Sequence, residues 1–146
     1  IAVYIVTMIV ILLIVGGIGS TLLPGTTSPT SNTNTFSVAQ IKASARIVPY
    51  DSLWRYSQGY VGDVVYFKGS IVQVEHYYGD NYHFRIATKD GYDDIIYVNS
   101  DAPWLLKGDI VEVWGRVKGL KQYTSIFGQS EMIPEIDSLY IQQVIV

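Results

Sequence analysis

The sequence predicts a mainly β chain: a five- to six-stranded barrel joined to one long N-terminal hydrophobic α-helix. Three observations lead there. Residues 1–23 carry no charge, the following dozen are rich in Ser, Thr and Asn, and the remainder alternates short apolar runs with Gly and Asp turns.

The first segment, Ile1–Leu23, reads IAVYIVTMIVILLIVGGIGSTLL, and the first charged side chain of the chain is Lys42. At the rise of an α-helix, 20 residues span ~30 Å, the thickness of a hydrocarbon core. Val, Ile and Thr would favour a strand in water, but a strand of this length is implausible and apolar surroundings favour a helix. Pro24-Gly25 stops it. Such a helix must hide in a bilayer or in the core of a polymer. The residues expected to pack helix against helix are Ile5, Met8, Ile9, Leu12, Leu13, Gly16 and Ser20. Gly16 and Ser20 are four apart, a spacing that lets two backbones approach; a weak helix end beside the linker is the alternative. The chain starts at Ile1 and not Met, and no Lys or Arg flanks the segment to set a membrane orientation. The expectation is that any basic flank lay upstream. A cleaved secretory signal is not expected, because the apolar run exceeds the usual length.

Residues 24–36 form the linker. Thr26–Thr35, TTSPTSNTNT, cannot build a core and holds no Asn-x-Ser/Thr sequon. Its hydroxyls make it either a site for O-linked glycans or a plain spacer.

Residues 37–146 are expected to form the β domain. A lead-in over 38–48 precedes a short helix near Asp51–Tyr56, capped by Asp51 or Ser52. Strands are predicted at about 63–75, 81–88, 93–99, 109–118, 122–128 and 136–145. The turn signals are Tyr78-Gly79-Asp80-Asn81, Asp90-Gly91, Lys107-Gly108 and Lys118-Gly119. A second helical turn is expected at Asp101–Leu106.

An internal echo fixes the architecture. GDVVYFKGSI, residues 62–71, matches GDIVEVWGRV, residues 108–117, position by position. With period two, Val65, Phe67, Gly69 and Ile71 share one face, as do Val111, Val113, Gly115 and Val117. An inward Gly in mid-strand lets the strand coil sharply, as closing a small barrel requires. Two long bent strands, about five strands in all and a helix between the third and fourth describe an OB-fold.

Composition bears on function. The net charge is −3 and there is no basic run, so no nucleic-acid partner is expected. No cysteine is present, so thiol catalysis and zinc–thiolate sites are excluded. No G-x-S-x-G, HExxH or Gly-rich phosphate loop occurs, and no enzymatic activity, cofactor or metal is expected. His76 and His83 flank the first hairpin and could approach one another; exposed hairpin histidines are the simpler reading. Asp90, Asp93 and Asp94 make an acidic turn without the spacing of an EF-hand. Tyr77, Tyr78, Tyr82, Tyr92 and Tyr97 cluster around the second and third strands, with Trp104 and Trp114 nearby in sequence. OB-folds stack bases or sugars on that face. Tyr77, Tyr78, Tyr82, Tyr97 and Trp114 are therefore the candidate ligand or subunit-contact surface, although Tyr also suits strands for packing alone.

Two resemblances follow. IKASA at 41–45, VPYDSL at 48–53, YVGDVVYFKG at 60–69, DDIIYV at 93–98, GDIVEVWG at 108–115 and IPEI at 133–136 resemble small OB-fold domains. These occur in exported or membrane-anchored proteins of Gram-positive bacteria and of methanogenic and other archaea. That resemblance implies the fold and no particular activity; the zinc ribbon or lipoprotein signal that many members carry is not found. The first 25 residues resemble the mature N-terminus of an archaeal type IV pilin. Bacterial type IV pilins usually carry a glutamate at mature position five, and here that position is Ile5. This likeness implies a homo-oligomeric extracellular filament, assembled from membrane-held subunits, with the β domain outermost. The alternative is a membrane-anchored, extracytoplasmic OB-fold binding module.

Overall fold

The computed structural model describes residues 36–91, 93–125 and 128–145. The expected helix 1–23, with its packing residues, and the segment Thr26–Thr35 lie outside the described residues. Among the described residues, no helix is long and apolar enough to cross a membrane.

The domain is a closed five-stranded barrel with strands in the order β1-β2-β3-β5-β4. The strands are β1 Val64–His76, β2 Tyr82–Lys89, β3 Asp93–Ser100, β4 Ile110–Thr124 and β5 Ser130–Gln143. All neighbours are antiparallel except β3 and β5, which run parallel over Tyr97–Asn99 and Glu135–Asp137. Helix α1, Val38–Ser44, occupies the expected lead-in. It forms because Ser37 and Gln40 make a reciprocal capping box: Gln40 N donates to Ser37 Oγ, and Ser37 N donates to Gln40 Oε1 at 2.9 Å. Helix α2, Tyr50–Arg55, begins after Pro49 and not at an Asp or Ser cap.

The echoed strands behave as the period-two reading requires. Val65, Phe67, Ile71, Val111, Val113 and Val117 are buried in one core with Phe84, Ile86, Ile96, Val98 and Ile136. Gly69 and Gly115 face inward where the wall is thinnest. A Cβ on Gly69 would meet Ile86 Cγ2 at 2.7 Å and Ala87 O closer still; on Gly115 it would sit 2.7 Å from Asp137 O. Neither position has room for a side chain, which lets both strands bend through the closure.

Three expectations are corrected. Lys118-Gly119 is not a turn: β4 runs through it, and Gly119, at φ +126°, sits where the register with β5 shifts between Val117 and Gly119. The strands expected at 109–118 and 122–128 merge into β4, and β5 starts at Ser130, six residues earlier than expected, so that the two run on as a long β4–β5 ribbon. Pro134 is tolerated there because β5 has only β4 beside it before Glu135. Finally, Asp101–Leu106 is irregular, not helical. It plugs one barrel end with Ala102 and Leu105, both buried.

Candidate ligand face of the barrel

The outer face of β1, β2, β3 and β5 gathers the polar and aromatic side chains. Phe84, Ile86, Ile96 and Val98 point inward, so alternation turns His83, Arg85, Tyr97 and Asn99 outward. On β1 the same alternation would bury Gln73. A bulge at Val72, where the β1–β2 register shifts between Ile71 and Gln73, reverses the parity. Val74 then packs on the core and Gln73 and Glu75 face out.

Arg85 organises the first half of this face. Its Nη1 donates to Gln73 Oε1 at 2.7 Å and its Nη2 to Glu75 Oε1 at 3.0 Å. The guanidinium lies 4.4 Å from the Tyr123 ring centre, on the β4–β5 ribbon. Tyr123 is held there by donating its hydroxyl to Glu131 at 2.7 Å. Arg85 Nε is buried without a hydrogen-bond partner among the described residues. A planar, delocalised cation on an aromatic ring gains from both stacking and charge. Beside it opens a cleft of about 1080 Å³ whose walls include Tyr50, Trp54, Arg85, Tyr123 and Glu131.

Tyr97 organises the second half. It is only 3% exposed although it faces outward. Lys121 Nζ lies 4.5 Å above its ring, and His83 packs beside it at 5.3 Å. Burial pushes the Tyr97 hydroxyl up to about 12, with Glu75 and Tyr77 adding to the rise and Arg85 opposing it. Asn99 Nδ2 donates to Glu135 at 2.9 Å and to Asp137 at 2.7 Å, so its oxygen is left to accept. His83 Nδ1, 2.6 Å from that oxygen, therefore carries the proton. Lys118 lies 3.5 Å from Asp137 and Lys121 3.8 Å from Glu135, which balances the acids.

The candidate aromatics do not form one surface. Tyr77 meets His83 edge-on at 4.8 Å and so joins Tyr97. Tyr78 is 94% exposed on the β1–β2 turn. Tyr82 stacks on His76 at 4.4 Å and packs against the core. Trp114 sits on a different part of the wall, between Tyr66 at 5.0 Å and Tyr140 at 5.7 Å. Lys42 of α1 covers it, with Nζ 4.2 Å from the ring centre. Tyr92 lies outside the described residues. His76 pairs with Tyr82 while His83 pairs with Glu75, so the two histidines face opposite sides of the sheet. Sequence reasoning missed Gln73, Asn99 and Tyr123; the alternation of Lys121 with Tyr123 was the one available signal.

The comparisons are with solved structures, since no protein-family model and no curated protein matches this chain. A replication protein A heterotrimer bound to single-stranded DNA matches at 20% identity and a TM-score of 0.39, over 59% of this chain and 60% of that one. An aspartyl-tRNA synthetase structure from Leishmania major matches at 16% identity and 0.49, over 80% of this chain but 23% of that one. A small single-stranded DNA-binding protein from Streptomyces coelicolor matches at 20% and 0.38, over 57% and 94%. At these identities and TM-scores the likeness carries no functional argument, and the fold rests on the closed strand order β1-β2-β3-β5-β4.

The barrel is an OB-fold.

One expectation about partners is corrected here. Nucleic acid was set aside on charge, but the matched structures include a heterotrimer bound to single-stranded DNA and a single-stranded DNA-binding protein, and the exclusion is withdrawn. Net charge was the wrong measure: OB-folds gain affinity by stacking as well as by charge, and the relevant charge is local.

Proposed function

We propose that this chain is a structural subunit of an extracellular type IV pilus-like filament, with its OB barrel on the outer surface and no catalytic role. The observation that carries the reading is the uncharged stretch 1–23, set off by a Ser/Thr-rich linker from a domain with a complete core of its own. The barrel does not need those apolar residues, so their burial is free to serve assembly. Each large side chain fully buried from water is worth ~1.5–3 kcal/mol, though a helix leaving lipid gains less. Negative-stain microscopy of material sheared from cells tests this. Filaments containing the chain support it; recovery only in detergent-extracted membranes overturns it.

A second reading is a membrane-anchored, extracytoplasmic OB-fold binding module. The cleft beside Arg85 and Tyr123 favours it, because an aromatic wall next to an incompletely satisfied guanidinium suits a ring-bearing ligand. Equilibrium binding of short single-stranded oligonucleotides and of oligosaccharides tests it. Saturable binding that Tyr123→Ala abolishes supports the module, and no binding of either rejects it.

A further inference from the structure

We infer that a second cleft, formed by β1, the β2–β3 turn and the β3–β4 loop, binds a small multiply charged anion of the phosphate class. Its volume is about 730 Å³, within the range of small-molecule sites. Lys68 of β1, Lys89 at the end of β2 and Lys107 of the β3–β4 loop line it.

What marks the cleft is the state of its cations. The chain has ten Lys and Arg residues. Lys42 lies over Trp114 and Tyr140, Arg46 pairs with Asp63, and Arg85 with Glu75. Arg116 donates to Gly62 O, and Lys118 and Lys121 meet Glu135 and Asp137. Among the described residues, Lys68, Lys89, Lys107 and Arg55 have no ion pair, hydrogen bond or ring. Three of these four unpartnered cations therefore line one cleft of a protein whose net charge is negative.

The acid opposite Lys68 makes no hydrogen bond or ion pair with it: hydrogen bonds from Tyr66 and Gln142, and after them the Lys68 charge, hold its carboxyl below the ordinary range. Glu112 stands opposite Lys68 across the β1–β4 pair. Its carboxylate instead accepts from the Tyr66 hydroxyl at 2.8 Å and from Gln142 Nε2 at 2.6 Å. Asp90 is the single acidic residue in the lining. The lining also includes Val72, which the bulge leaves without a β2 partner, and Ser70, while the Thr88 hydroxyl donates to Asp94 O at 2.8 Å. A hydroxyl beside three lysines of one cleft suits an oxyanion.

The test is titration of the full chain, in non-ionic detergent, with inorganic pyrophosphate at constant ionic strength, followed by amide NMR. The expected result is saturable binding with shifts confined to Gly69, Ser70, Lys89, Gly91 and Gly108. Lys68→Gln, Lys89→Gln and Lys107→Gln should each weaken binding about two- to five-fold, as loss of one exposed charge contact does. The triple variant should lose it, with an unchanged circular dichroism melt. Non-saturating shifts spread over the surface, or equal binding by the triple variant, would overturn the inference. So would an equal loss on Arg55→Gln, which removes a free cation outside the cleft.

Discussion

Gly69 of β1 lies against Ala87 of β2 so closely that the Ala87 carbonyl occupies the space a Gly69 side chain would need. Gly115 stands in the same relation to Asp137 of β5. Gly69→Ala and Gly115→Ala should each destabilise the domain by about 1–3 kcal/mol through overpacking against backbone that cannot swing aside. Gly59→Ala, with nothing within 4 Å of its added Cβ, serves as the control and should be near neutral. Urea denaturation of the three variants checks this ordering.

Arg85 holds Gln73, Glu75 and Tyr123 with one side chain, so its removal breaks several contacts together. Arg85→Met should cost about 1–2 kcal/mol, less than a fully buried pair because both partners keep some solvent. Arg85→Lys should recover only part of it, since an ammonium cannot fork between two acceptors while stacking on a ring. A double-mutant cycle with Glu75→Gln measures the coupling. Strict additivity would show that the ion pair contributes nothing.

Two tyrosines contribute most to the response to alkaline pH. Burial pushes both Tyr50 and Tyr97 up to about 12 from an ordinary value of 10.0, and Tyr50 also donates its hydroxyl to Ile95 O at 3.0 Å. Below the unfolded value both states keep the proton, so stability is fully present. Above it the unfolded chain ionises first, and stability is lost as pH rises from about 10 to about 12. Tyr97→Phe should flatten that decline while leaving stability below pH 9 little changed. Tyr50→Phe should flatten it too, at the cost of one hydrogen bond, about 1 kcal/mol. Denaturation midpoints across this pH range give the comparison.

The filament reading makes its own demand on residues 1–23. Val10→Lys or Ile11→Asp should abolish assembly, because a charge inside an apolar polymer core has no partner. The barrel should keep its thermal melt in the same variants. Filaments that form with either charge in place would show that the segment is not the polymer core.

What the sequence disclosed followed from periodicity and local turn chemistry. The echo of 62–71 in 108–117 correctly assigned six core residues and two crowded glycines, because a strand's alternation is a local property. Gly119 misled because a positive-φ glycine marks a bulge as readily as a turn, and only the pairing with Glu135 distinguishes them. The face around Arg85 was mostly illegible. It depends on a bulge at Val72 that flips the parity of β1, and on Tyr123 arriving from a strand 38 positions away. Trp114 looked like a surface aromatic because nothing in a strand pattern reveals that a lysine from α1 will lie on it.

The ring of strands has a consequence for life at high local density. β1 closes on β4 and β3 on β5, so among the described residues every strand of the barrel has a neighbour on each side over part of its length, which shortens the open main-chain edges. The outer ribbon keeps open edges of its own. There Pro134 removes a donor, Gly119 breaks the register, and Lys121 and Glu131 place charge along the rim. Copies of the domain crowded side by side would find only short or interrupted strand edges on which to build shared sheets.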